Sequence, residues 1–176
     1  MENFCGRVIV AQTEKEVQQA IKHLSSFPVI GFDTETRPVY KKGTVRGAAL
    51  MQLSTQDTCF LIRLNLVGFP PCLIEFLSNP QIQKIGLSLR DDFLSMNRRV
   101  SVEPKGFVDL QQLVPQHGFA DISLQKIYAI LFQKKISKRQ RLTNWEAEIL
   151  TDAQKKYAAL DAWACLKIYD ALQQLN

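Results

Sequence analysis

Short apolar runs dominate the first half of the chain, and apolar stripes at helical spacing dominate the second. Arg7 to Val10 reads as a first strand, and Thr13 to Glu16 has the form of a capping box. Behind that box Val17, Ala20, Ile21 and Leu24 fall at i, i+3, i+4 and i+7, which predicts an amphipathic helix. Pro28 leads into a strand over 29–33. A polar stretch from Thr36 to Arg46 follows, and then two strands are expected over 48–53 and 59–64, with 54–57 as their hairpin turn. Pro71 opens a short helix through Leu77, at the first-turn position where proline fits. A strand over 84–87, a helix from about Arg90 to Asn97 and a short apolar run at 107–110 come next. Ser123 is placed to cap a helix over 124–132, whose stripe is Leu124, Ile127, Tyr128 and Leu131. Thr151 opens a final long helix to about Leu175, with Ala158, Leu160, Cys165, Ile168 and Leu172 on its apolar side. Antiparallel strands followed by mixed elements and then helices predict an α/β or α+β three-layer architecture. No repeat, low-complexity tract or linker divides the sequence, so residues 1–176 are expected to form one domain.

Composition narrows the function classes. The 176 residues are 46% apolar and 22% charged, as in ordinary soluble proteins. A net charge of +5 suits polyanionic partners without identifying one. Cys5, Cys59, Cys72 and Cys165 are scattered, with no paired spacing for zinc or a disulfide framework, and are expected to be reduced thiols. His23 and His117 are too few for an imidazole metal site. No window approaches the ~20 consecutive apolar residues of a membrane span, and no signal peptide is expected at the N-terminus. A cytoplasmic location with no membrane partner is the resulting expectation, or a nuclear one in a eukaryote.

The candidate chemistry is carboxylate-based. Asp33 and Glu35 stand two positions apart at the end of an apolar strand, so both point to one face. Like charges held so close repel, and a hard divalent cation is the usual reason to hold them there. Asp91 and Asp92 lie at the start of a predicted helix, where Asp91 fits a capping role. Tyr157 and Asp161, at i and i+4 on the final helix, share a face. Asp109 ends a predicted strand and reads more readily as a turn or cap carboxylate than as a ligand.

Taken together these residues resemble the DEDD superfamily of 3′→5′ exonucleases. Phe32 to Thr36 is similar to its first motif, Lys84 to Asp92 to its second with the metal-site aspartate at Asp92, and Tyr157 with Asp161 to its third. The histidine subclass would carry His where this chain has Lys156, so the tyrosine (DEDDy) subclass is favoured. Thr143 to Trp145 and Leu150 to Tyr157 are similar to the branch containing the Werner syndrome helicase exonuclease domain. Glu35 to Pro38 and Lys41 to Gly43 resemble its stand-alone bacterial members. The likeness covers roughly 27–175. Helicase motifs and the extra helical domains of ribonuclease D are not expected.

The resemblance implies an α/β, ribonuclease-H-like three-layer fold with a mixed central sheet flanked by helices. It implies hydrolysis of terminal phosphodiesters from a free 3′ end, releasing nucleoside 5′-monophosphates, with DNA favoured and RNA as the alternative. Two divalent cations, Mg²⁺ or Mn²⁺, are implied ~3.5–4 Å apart. Asp33 would bridge both, Glu35 and Asp161 would complete the site that activates water, and Asp92 would reach the second ion through water. Tyr157, with an ordinary pKa of ~10, is a poor base near neutrality and would orient the attacking water.

Residues 133–145 carry five Lys or Arg and no acid, directly before the third motif. This segment suits sequence-independent phosphate contacts, with Lys138 and Arg141 as the expected donors. Lys41, Lys42 and Arg46 are placed to form an opposite wall, and Thr36 resembles the position beside the terminal nucleotide. Trp145 reads as a core anchor rather than a stacking platform. A dehalogenase-like phosphatase would require Asp where Glu35 stands and has no use for the Tyr157–Asp161 pair. A catalytically silent nucleic-acid-binding module of the same fold is the alternative, and metal-dependent degradation of a strand separates it from an enzyme.

Overall fold

The computed structural model describes residues 1–119 and 123–176. Six strands form one mixed sheet in the order β1-β4-β3-β2-β5-β6. They are β1 (Arg7–Ala11), β2 (Val29–Glu35), β3 (Leu50–Ser54), β4 (Thr58–Ile62), β5 (Gln83–Gly86) and β6 (Phe107–Asp109). β3 runs antiparallel to β2 and β4, while β1–β4, β2–β5 and β5–β6 are parallel pairs. The described helices are α1 (Glu14–Leu24), α2 (Leu64–Val67), α3 (Pro71–Leu77), α4 (Leu89–Asn97), α5 (Leu110–Leu113), α6 (Leu124–Phe132) and α7 (Asp152–Gln174). No helix among the described residues is long and apolar enough to cross a membrane.

Period-two alternation divides the sheet into two faces, and each is covered. Ile30, Phe32, Met51, Leu53, Phe60 and Ile62 pack with residues of α1, α3 and α4. Leu50, Cys59, Leu61 and Ile85 face the other way, against α6, α7 and the buried Trp145. Helices on both sides of a mixed sheet give the expected α/β three-layer architecture. The two long-range helix starts follow their sequence signals. Thr151 and Gln154 form a reciprocal capping box at α7, and the Ser123 hydroxyl accepts from the Lys126 amide at α6.

Several expected boundaries move. β2 continues to Glu35, because Glu35 pairs with Leu50 in the antiparallel ladder, so both carboxylates lie inside the sheet rather than beyond its edge. β3 begins at Leu50 instead of residue 48, since Ala48 donates its amide to the Ser95 carbonyl of α4. β4 stops at Ile62, and Leu64–Val67 coils into a short helix where an extended strand was expected. Asp91 is not the cap of α4. That helix starts at Leu89 behind Ser88, whose backbone is left-handed, and Asp91 is an exposed first-turn residue. The capping carboxylate comes from 20 positions away: Asp109 accepts from the Ser88 and Leu89 amides at 3.0 Å each, and from Gln111 at 2.9 Å. Asp109 is therefore the cap carboxylate anticipated, serving two helices at once.

Candidate active site

Because side chains alternate along β2, Gly31, Asp33 and Glu35 face α7 while Thr34 faces α4. The approach of α7 is close. A Cβ on Gly31 would stand 2.0 Å from the Ala162 carbonyl oxygen, so only glycine lets this helix lie so low on the strand. That contact sets Asp161 opposite the strand end. Donor oxygens of Asp33, Glu35 and Asp161 lie within 4.8 Å of one another. Asp92 approaches from α4 and is held separately, with its Oδ1 accepting from the Thr34 hydroxyl.

The electrostatics of this group are severe. Burial pushes the Asp33 and Glu35 carboxyls well above their ordinary range, and the neighbouring acids push them further. Burial likewise pushes Asp161 up to about 7, with the nearby Tyr157 phenol partly offsetting it. Burial also raises Asp92 to about 7, against the opposing Thr34 hydrogen bond. Asp161 Oδ1 is fully buried with no hydrogen-bond partner among the described residues. Four acids that favour protonation, three of them converging and one with an orphaned oxygen, fit a hard divalent cation bound by oxygen ligands.

The surroundings fix these side chains. Gln52, directly opposite Asp33 in the ladder, donates to Glu35 Oε1 at 3.4 Å and to the Ala158 carbonyl of α7 at 3.3 Å. Tyr157 is buried and stacks on Trp145, with ring centroids 6.0 Å apart and planes 28° apart. Trp145 itself is fully buried and donates to the Arg141 carbonyl at 3.3 Å, so it is the core anchor expected. Burial and the adjacent carboxylates push the Tyr157 phenol far above its ordinary value.

The basic residues divide. The positive charge of Arg141 lies near enough to favour the ionised forms of Glu35 and Tyr157. Lys138 is exposed in the same loop, with its carbonyl accepting from the Arg141 amide at 3.2 Å. Thr36 is half-buried immediately after β2. A cavity of about 260 Å³ borders Tyr157 and is lined by Phe4, Ser137, Arg139, Gln140, Lys156 and Leu160. Sequence reasoning missed Thr34 and Gln52. The strand alternation that placed Asp33 and Glu35 on one face also placed Thr34 on the other, so that signal was present.

Comparisons with known proteins agree with this architecture. A family model described as 3′-5′ exonuclease matches residues 8–175. The mouse bifunctional 3′-5′ exonuclease/ATP-dependent helicase WRN is 34% identical over 159 residues, covering 87% of this chain and 11% of that protein. An Arabidopsis thaliana 3′-5′ exonuclease is 30% identical over 188 residues, covering 98% of this chain and 65% of the relative. The chain thus spans less than two thirds of either relative. Among solved structures, the Aedes aegypti Nibbler EXO domain superposes with a TM-score of 0.90 at 20% identity, over 99% of this chain and 92% of that one. This likeness shows the ribonuclease-H-like exonuclease fold.

Proposed function

We propose that this chain, which belongs to the 3′-5′ exonuclease family, removes nucleotides one at a time from a free 3′ end of nucleic acid. Each turnover hydrolyses the terminal phosphodiester and releases a nucleoside 5′-monophosphate. The observation that carries this reading is the convergence of Asp33, Glu35 and Asp161 within 4.8 Å, with Asp92 beside them. Asp33, Glu35 and Asp161 would hold one divalent cation, Mg²⁺ or Mn²⁺, and Asp33 with Asp92 a second. When bound, such ions neutralise the acids, acidify a water and stabilise charge on the phosphate oxygens.

The remaining steps belong to the protein's own groups. Tyr157 keeps its proton at any working pH, because burial and three carboxylates oppose its ionisation. It therefore acts as a hydrogen-bond donor that orients the attacking water, the role the tyrosine-subclass reading assigns to it. The stack on Trp145 holds the phenol in one direction. Gln52 ties Glu35 to α7 and Thr34 ties Asp92 to β2, so that the four acids keep their spacing as the strand enters. Arg141 offsets their charge from the approach side, and Lys138 and Thr36 are assigned to the strand's phosphates and terminal nucleotide.

The test uses strands labelled at either end, as single strands and recessed duplexes, in DNA and RNA versions, with Mg²⁺, Mn²⁺ or EDTA. Immediate release of a 3′ label as mononucleotide, a descending ladder from the 5′ label and arrest by EDTA are expected. Degradation that persists in EDTA, or that Asp33→Ala protein performs at the wild-type rate, would overturn the assignment. A strand that is bound but never shortened would favour the catalytically silent binding module.

A further inference from the structure

Outside the acid cluster, the densest gathering of charge in the described structure surrounds Glu146. Its Oε2 accepts from Arg46 Nη1 at 2.8 Å and faces Arg37 Nη1 at 3.7 Å, while Oε1 faces Arg99 Nη2 at 3.3 Å. Three guanidinium groups thus share one carboxylate, and the cluster retains two positive charges. The arginine side chains remain 42%, 36% and 27% exposed, against 18% for the glutamate. Arg37 makes no hydrogen bond among the described residues, and Arg46 spends one nitrogen on Glu146. Only Arg99 is largely committed, to the Ala48 and Gly47 carbonyls. It crosses so low over Gly47 that a Cβ there would stand 2.7 Å from its Cγ.

The cluster also has an informative position. Arg37 lies two residues beyond Glu35 on the same strand exit. The segment behind Arg46 runs beside that exit, with the Ala49 amide donating to the Glu35 carbonyl at 2.8 Å, and Ala48 binds Ser95 of the helix that carries Asp92. Glu146 directly follows Trp145, the residue stacked on Tyr157. The strand and the helix bearing Asp33, Glu35 and Asp92 are thus tied directly to the segment behind Arg46, and the helix bearing Asp161 is linked to the cluster through the Tyr157–Trp145 stack.

A clasp between loops would need one cation, and exposed ion pairs contribute only about 0–1 kcal/mol. Three forked guanidinium groups held apart by a central carboxylate are better suited to a tetrahedral anion, which takes bidentate contacts from arginine. We propose that Arg37 and Arg46, spaced by Glu146 and backed by Arg99, bind a backbone phosphate of the nucleic-acid strand; the location along the strand rests on the exonuclease reading above. Two extended residues place Arg37 about 7 Å from Glu35. Successive phosphates of a strand stand no closer than the axial rise of about 3.4 Å per nucleotide, so the bound phosphate lies within about two linkages of the bond to be cut. Glu146 serves as a positioning residue that keeps the forks apart before the strand arrives.

Equilibrium binding tests this without reading hydrolysis. Fluorescence anisotropy would follow a 5′-labelled single strand, with Ca²⁺ as the dication and gels confirming that the strand stays intact. A matched set carries one neutral methylphosphonate at each of the first four linkages from the 3′ end. The wild-type protein is expected to lose about tenfold in affinity when the neutral linkage falls at one of the first three. The Arg37→Gln/Arg46→Gln double variant is expected to bind the intact strand about tenfold more weakly, with a log–log salt slope shallower by about 0.7, and to lose nothing further at that linkage. A wild-type protein indifferent to every neutral linkage would sink the proposal, and that result needs no variant to fold. Equal losses in wild type and variant at the same linkage, or weaker binding with an unchanged salt slope, would do the same. A wild-type protein that passes this test yet never shortens a strand would overturn the exonuclease reading and leave the phosphate site standing.

Discussion

Gly31→Ala tests how the site is assembled without touching a charged group. The added methyl would sit 2.0 Å from the Ala162 carbonyl oxygen, 2.8 Å from its carbon and 3.3 Å from Leu166 Cβ. The obstacle is backbone, so no side-chain rotation relieves it, and ordinary van der Waals contact requires a retreat of more than about 1 Å. β2 is held on both sides, by Ser54 of β3 and Ile85 of β5. α7 must therefore rise from the sheet. Overpacking of this kind costs about 1–3 kcal/mol, which corresponds to a fall in Tm of roughly 4–8 °C at 2 kcal/mol for a chain of this size. The functional cost is larger in proportion. Asp161 is the residue before Ala162, and its oxygen lies within 4.8 Å of those of Asp33 and Glu35. Misplacement by about 1 Å can lower turnover about 10²-fold. Differential scanning fluorimetry, Mn²⁺ titration by calorimetry and single-turnover release of a 3′ nucleotide would read the three effects. A variant with wild-type Tm and undiminished Mn²⁺ affinity would refute the view that this glycine sets the height of α7.

Three further outcomes are expected. Tyr157→Phe should leave Mn²⁺ affinity within about twofold while cutting turnover about 10²-fold, the scale for removing one positioned donor; loss of metal binding would show that the phenol is a structural partner of Asp161 instead. The metal-free protein should grow more stable as pH falls from about 8 to about 5, because acids raised to about 7 in the fold take up protons before the unfolded chain does. Saturating Mg²⁺ should flatten that slope, so Tm profiles that coincide with and without the ion would contradict the raised values. Gln52→Met should cost about 1 kcal/mol by removing its hydrogen bonds to Glu35 and to the Ala158 carbonyl, which keeps its partner within the helix, and should weaken Mn²⁺ binding by freeing Glu35. An unchanged Tm in thermal melts would mean that the two hydrogen bonds contribute nothing.

What could be read in advance follows the range of the interactions. Asp33, Glu35, Tyr157 and Asp161 were legible because their spacing within one strand and one helix decides which face they share. Asp109 was legible only in kind: its position after a short strand indicated a cap, but the helix it caps begins 20 residues earlier and meets it through the β5–β6 pairing. Asp91 failed for the complementary reason. A local signal for capping was overridden when a carboxylate from the neighbouring strand filled the role. Gln52 gave no signal as an isolated amide in an apolar strand, and acquires its meaning from register, which sets it opposite Asp33. Arg46 was legible as a wall of the strand's groove, but its pairing with Glu146, 100 positions away, was not. The acids are placed by strand and helix periodicity, which a sequence displays. The groups that hold the acids apart, and would hold the strand against them, are placed by pairing between elements, where no period exists to be read.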